Sequence, residues 1–210
     1  VGGYDRVVPK KRSTVVVEIR TFSGKELEPY IPEIAKLRIE VFKEWPYLYE
    51  GNLDSEKKYL KKFTECKESF FAVAFDGDRV VGISSGLPLQ AEDEATKKPF
   101  LNQGLSVEDY FYFSESVLKK EYRGQGIGHK FFDARETFAK DLGRFKKVCF
   151  CGVVRDPSDP RKPEEFKELK PFWNRRGYSP IKDVVCAFSW KEIGMSEETE
   201  KPLQCWEKSL

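Results

Sequence analysis

The 210-residue sequence predicts an α/β fold: a single domain with a mixed, mostly antiparallel central sheet flanked by helices. Three observations carry that expectation. Runs rich in β-branched and aromatic residues alternate with stretches whose apolar residues recur at helical spacing. Two of the strand-like runs flank an Asp-Gly turn, the sequence form of an antiparallel hairpin. A third leads through a glycine-rich turn straight into an amphipathic helix. No internal repeat or linker interrupts the pattern, and the length suits one domain. We assign residues 1–13 to a flexible basic tail and 14–210 to the domain.

The elements follow in order. Thr14–Arg20 is β-branched and reads as a strand. Glu26–Glu44 carries Leu27, Ile31, Ile34, Ala35, Ile39 and Phe42 at helical spacing, with Pro29 and Pro32 confined to the first turns. An aromatic loop from Trp45 to Asn52 follows, and Asp54 or Ser55 is expected to cap a helix reaching about Cys66. Phe70–Phe75 and Arg79–Leu87 form the hairpin around Asp76-Gly77-Asp78. Residues 88–107 read as a polar loop with at most one helical turn, and Tyr110–Leu118 as one continuous strand. Ile127, Phe131, Ala134, Phe138, Leu142 and Phe145 mark an amphipathic helix closed by Gly143. Val148–Val154 is a buried strand, and the three prolines between Arg155 and Pro163 enforce a loop. A short helix built on Phe166, Leu169, Phe172 and Trp173 ends at Gly177, and Val184–Trp190 reads as the last strand.

Composition narrows the partners. The net charge of +2 is uneven: residues 1–20 hold five cations against two anions, which leaves the remaining chain at −1. A nucleic-acid binder carries a basic face on its folded body, and this body has none. The longest uninterrupted apolar run, Phe70–Phe75, falls far short of the ~20 residues of a membrane span. Five cysteines without a Cys-x-x-Cys pair argue against a disulfide framework and for a reducing, cytoplasmic setting. His129 is the only histidine, so neither a Ser-His-Asp hydrolase nor a His-rich metal site is expected, and no metal is assigned.

The most informative segment is Val117-Leu118-Lys119-Lys120-Glu121-Tyr122-Arg123-Gly124-Gln125-Gly126-Ile127-Gly128-His129. Free N–H groups at a helix start, aligned with its dipole, make an anion site. Glycines at 124, 126 and 128 let the backbone approach a phosphate without an intervening Cβ. A Walker loop would need Gly-Lys-Ser/Thr, and His129 follows Gly128. The dinucleotide fingerprint fails because Phe131 or His129 stands where Gly or Ala is required. Arg123, Gly126 and Gly128 do fit Arg/Gln-x-x-Gly-x-Gly/Ala. With its flanking strand and helix, the segment resembles the acetyl-CoA-binding motif of the GCN5-related N-acetyltransferases (GNAT). Pro171-Phe172-Trp173-Asn174-Arg175-Arg176-Gly177-Tyr178 is similar to that family's later aromatic helix, and the element order matches over most of residues 14–191.

The resemblance implies acetyl-CoA as cosubstrate and acetyl transfer to a primary amine by direct attack. Backbone amides of Arg123, Gly124, Gln125, Gly126, Ile127, Gly128 and His129 would hold the pyrophosphate. Ser116, Val117 and Leu118 would pair with the pantetheine arm across a slot opened where the strand is bulged and splayed from Val148–Val154. The Val117 and Leu118 amides would face the acetyl carbonyl. Glu115, the only acidic residue in Tyr110–Leu118, is the expected catalytic base. The family's usual acid, a Tyr four residues before the glycine, is Trp173 here, and an indole cannot serve; Tyr47, Tyr49 and Tyr112 remain candidates. The family's frequent Asn after the following strand is replaced by Arg155-Asp156-Pro157. His129 reads as a phosphate contact or a plain surface residue, and Cys149 and Cys151 as buried thiols on one strand face. The expected partner is an amine-bearing acceptor, small molecule or peptide, with a second copy of the chain left open. Two further readings stand beside the enzyme: a silent CoA-binding sensor, and an interaction module using the loop Trp45–Tyr49.

Overall fold

The computed structural model describes residues 16–210; the basic tail and the start of the first expected strand lie outside them. Among these residues an eight-stranded sheet runs in the order β1-β2-β3-β4-β6-β8-β7, with β5 (Ser116–Leu118) paired to β3 off that path. β1 (Glu18–Phe22), β2 (Phe70–Asp76) and β3 (Arg79–Pro88) are antiparallel neighbours, and the Asp76–Arg79 turn closes the expected hairpin. β4 (Tyr110–Tyr112) lies parallel to β6 (Lys147–Val153), and β8 (Glu198–Ser209) inserts antiparallel between β6 and β7 (Ser179–Lys191).

Two apolar cores lie on opposite faces of this sheet. One packs α1 (Ile31–Phe42), α2 (Leu53–Glu65) and α3 (Glu94–Asn102) through Leu37, Phe63 and Phe100 against Phe71, Ile83 and Tyr112. The other packs α4 (Ile127–Asp141) and α5 (Lys170–Arg175) through Phe131, Phe132 and Trp173 against Phe111, Phe113 and Phe150. Alternation along each strand feeds both: in β6, Cys149 faces the first core and Val148 and Phe150 the second.

Several sequence expectations are corrected. The helix expected from Glu26 begins at Ile31, because Pro29 and Pro32 hold Gly24–Tyr30 as a separate 3₁₀ turn. The cap of α2 is Asn52, whose side chain accepts from the Ser55 amide at 2.9 Å, rather than Asp54 or Ser55. The polar loop after β3 holds all of α3, capped by Asp93 through the Thr96 amide. Tyr110–Leu118 is two strands, not one. The strand expected at Val184–Trp190 is the longer β7, and β8 was not anticipated at all, since Glu198–Ser209 mixes charges with Pro202 and carries little β-branched content.

Candidate active site

The split of Tyr110–Leu118 creates the site. Ser114 donates its amide to the Ser85 carbonyl, and the Ser85 amide donates to the Glu115 carbonyl, so two residues oppose one in a β-bulge. Before the bulge, β4 runs beside β6, with the Phe113 amide still reaching the Cys149 carbonyl at 2.7 Å. After it, β5 (Ser116–Leu118) pairs with β3 alone. The ladder binds the Lys119 amide to Val81 and Ser85 to Glu115, so by alternation Val117 faces β3 in the hydrogen-bonded pair with Ile83. The backbone groups of Ser116 and Leu118 therefore point the other way, into the slot toward β6. The sequence placed both Val117 and Leu118 amides there; the register leaves only that of Leu118.

The glycine turn follows β5 after a single 3₁₀ turn, Lys120–Tyr122. Gly124 (φ 75°) and Gly126 (φ 81°) occupy the left-handed region, and a Cβ on either would meet nothing within 4 Å, so backbone conformation alone calls for glycine. The first backbone bond of α4 runs from the Lys130 amide to the Gly126 carbonyl, which leaves Ile127, Gly128 and His129 without intrahelical partners. Arg123 anchors the turn: its amide bonds the Lys120 carbonyl, its Nε the Leu118 carbonyl at 2.9 Å, and its Nη1 the Glu44 carboxylate at 2.8 Å. Gln125 folds its amide back onto the Glu121 carbonyl. His129 is exposed, its Nδ1 3.2 Å from Arg176 Nη1 and its ring edge-on to Phe172. A strand edge and a fan of amides at a helix start thus lie end to end, as an extended, phosphate-bearing ligand requires.

Glu115 sits on the bulge, buried on the α1/α2 face. Its carboxylate accepts from the Tyr59 hydroxyl at 2.7 Å and pairs with Arg38 Nη1 at 2.7 Å, and Arg38 Nε reaches the buried Glu56. Burial resists the Arg38 charge, yet Glu115, the Tyr59 oxygen and Glu56 hold it firmly protonated. Lys62 extends the network: it lies over the Tyr59 ring and binds Glu92, whose other oxygen accepts from Ser114. Desolvation raises the Glu92 carboxyl, with Lys62 opposing. Burial also raises nearby phenols: Tyr47 and Tyr49 to about 12, Tyr59 and Tyr112 well above their ordinary value. These hydroxyls all keep their protons at neutral pH. On the opposite face Arg135 lies under the bulge, its Nη1 3.4 Å from both the Ser85 and Glu115 carbonyls, with desolvation lowering it to about 10. Sequence reasoning singled out Glu115 but missed Arg38, Tyr59 and Arg135. Only their burial separates them from ordinary surface charge.

The aromatic loop forms a wall. Arg155 donates to the Pro46 and Tyr47 carbonyls and pairs with Glu192, and the Trp190 indole also donates to Tyr47. Tyr49 forms an isolated antiparallel bridge with Glu192, just beyond the end of β7. Trp45 is buried edge-on to Phe166, which removes the loop's largest ring from any docking role. Trp173 is likewise a packing residue, against Phe150, Trp206 and the bare Cα of Gly152.

The sequence matches the model of the acetyltransferase (GNAT) family over residues 35–162. Among solved structures, a ribosomal-protein-alanine N-acetyltransferase from Brucella melitensis superposes with a TM-score of 0.60 at 12% identity, covering 92% of this chain and 99% of that one. Arabidopsis thaliana NAA60 in complex with acetyl-CoA superposes with a TM-score of 0.58 at 10% identity, covering 93% and 99%. The acetyltransferase yncA from Salmonella typhimurium, solved with acetyl-CoA, gives 0.58 at 11% identity over 92% and 94%. These likenesses are of fold. No curated protein matches the sequence.

Proposed function

The chain belongs to the acetyltransferase (GNAT) family, and on that premise we propose that it moves an acetyl group from acetyl-CoA to a primary amine by direct attack. The carrying observation is the strand edge of Ser116 and Leu118 leading, through one 3₁₀ turn, to the amides of Ile127, Gly128 and His129, which have no intrahelical partner. Two related folds were solved with acetyl-CoA, which supports the same cosubstrate here. In this reading Gly124–His129 hold the pyrophosphate, with Arg123 bracing the turn. Ser116 and Leu118 pair with the pantetheine arm, and the outward Leu118 amide faces the negative charge that develops on the acetyl oxygen.

The acceptor enters from the α1/α2 side. Glu115, Glu56 and Glu92 outnumber Arg38 and Lys62 there, which favours a cationic amine. The Arg38 pair fixes the Glu115 carboxylate at the bulge, where it can take the ammonium proton. The departing thiolate then collects a proton from solvent or from one of the neutral phenols.

Calorimetry with acetyl-CoA tests the cosubstrate: saturable binding is expected, and no heat at millimolar ligand refutes it. A thiol-release assay across polyamines, aminoglycosides, amino acids and peptides tests transfer. Binding without release for every amine would leave a silent sensor. Glu115→Gln should lower the rate at neutral pH far more than it weakens acetyl-CoA binding, and an unchanged pH–rate profile removes it from the mechanism.

A further inference from the structure

The acetyl-transfer reading uses none of the five cysteines. Along the chain their spacing offers no ligand set, but the sheet order gathers three of them. Cys151 on β6 lies directly opposite Cys205 on β8. Backbone bonds join Val154 to Pro202 and Leu210 to Lys146 in the same register, so the Cys151–Cys205 pair falls at a non-hydrogen-bonded position, where side chains stand closest. Cys186 on β7 faces Leu203, two residues from Cys205 and on the same side of the sheet. The Sγ atoms are 2.7 Å (Cys151–Cys205), 3.4 Å (Cys186–Cys205) and 3.7 Å (Cys151–Cys186) apart. Cys186 and Cys205 are fully buried, and Cys151 is partly exposed.

We propose that Cys151, Cys186 and Cys205 form a three-thiolate site for a thiophilic divalent cation of the zinc class. Sulfurs held about 2.3 Å from a shared ion lie roughly 3.8–4.0 Å from one another. The two longer separations are close to that, and the shortest opens by about an ångström through side-chain rotation. Charge selects the ion. Three thiolates around a divalent cation leave one net negative charge in a buried site, whereas a monovalent cation leaves two. Each thiol loses its proton to solvent as its bond to the ion forms. The partly exposed Cys151 side admits the ion and leaves its fourth position to water. The ion would tie β6, β8 and β7 together on the face that carries Tyr112 and Tyr47.

The test uses the full chain, freshly reduced and freed of metal. Cadmium, followed by its sulfur-to-metal charge-transfer absorption, is expected to saturate at one equivalent and to displace zinc already bound. Cys151→Ser and Cys205→Ser should each weaken binding more than tenfold, while Cys66→Ser leaves it unchanged. A zinc-dependent rise in the melting temperature of the unaltered chain, reversed by chelator, tests the site without any variant. The proposal is overturned by absence of a one-equivalent end point, by a band that survives the triple Cys→Ser change, or by a Cys151–Cys205 disulfide whose reduced form binds no metal.

Discussion

Alanine at Gly126 and at Gly128 should have opposite effects, although the two positions are two residues apart in the same turn. Gly126 caps α4 at φ 81°, and a Cβ there would meet no atom within 4 Å. Its cost is therefore backbone strain alone, about 1–2 kcal/mol for an L-residue in the left-handed region. In a domain of this size, about 1 kcal/mol corresponds to roughly 2–4 °C, so Gly126→Ala should melt about 2–8 °C lower. Relieving the strain rotates the amides of Ile127 and Gly128 away from a shared focus, so acetyl-CoA affinity should fall with stability. Gly128 is helical, and its added Cβ would make only ordinary contact with Phe172 at 3.9 Å. Gly128→Ala should hold or gain up to about 1 kcal/mol and keep its affinity. Thermal unfolding monitored by circular dichroism, with calorimetry against acetyl-CoA, measures both quantities. A Gly126→Ala protein with unchanged melting and affinity, or a Gly128→Ala protein damaged in either, would refute the reasoning.

Three further outcomes follow from the same geometry. Arg38→Met leaves Glu56 and Glu115 buried without their cation and should cost about 3–5 kcal/mol in urea unfolding at neutral pH. Glu92 has a raised carboxyl pKa, so its contribution to stability is complete below the unfolded value and is lost as pH rises through the folded one. Glu92→Gln should therefore gain most relative to the parent at pH 7 and little near pH 4, and urea midpoints across that range would expose the opposite trend. Gly152→Ala places a Cβ 2.7 Å from the Trp173 ring, an overpacking worth about 1–3 kcal/mol that a shift in urea midpoint measures.

Where local chemistry determines structure, the sequence was legible. Asp76-Gly77-Asp78 can do little but turn, and the run Ile127 to Phe138 presents one apolar face whatever lies beneath it. The glycine turn was readable because its chemistry is that of the backbone. β8 was not, because Glu198–Ser209 becomes a strand by filling the place between β6 and β7, with Leu203, Cys205 and Trp206 buried by those neighbours. The break after Tyr112 was expected only through the family resemblance, because nothing local in Phe113-Ser114-Glu115 sets the bulge, which is fixed by pairing with Ser85. Arg38, Tyr59 and Arg135 looked like ordinary helix residues, since nothing local distinguishes a buried guanidinium from an exposed one. The three converging thiols belong to the same class, joined only by strand order.

The slot beside β5 also bears on how the molecule holds together. β1, β2, β3 and β5 form one panel and β6, β7 and β8 another, and the hinge between them is the short strand Tyr110–Tyr112. Below that hinge the panels share no ladder, so a ligand strand laid along Ser116–Leu118 would act as a keystone. It would join two panels that share no ladder there into one continuous sheet. Hydrogen exchange should accordingly slow along β5 and the free half of β6 when acetyl-CoA binds.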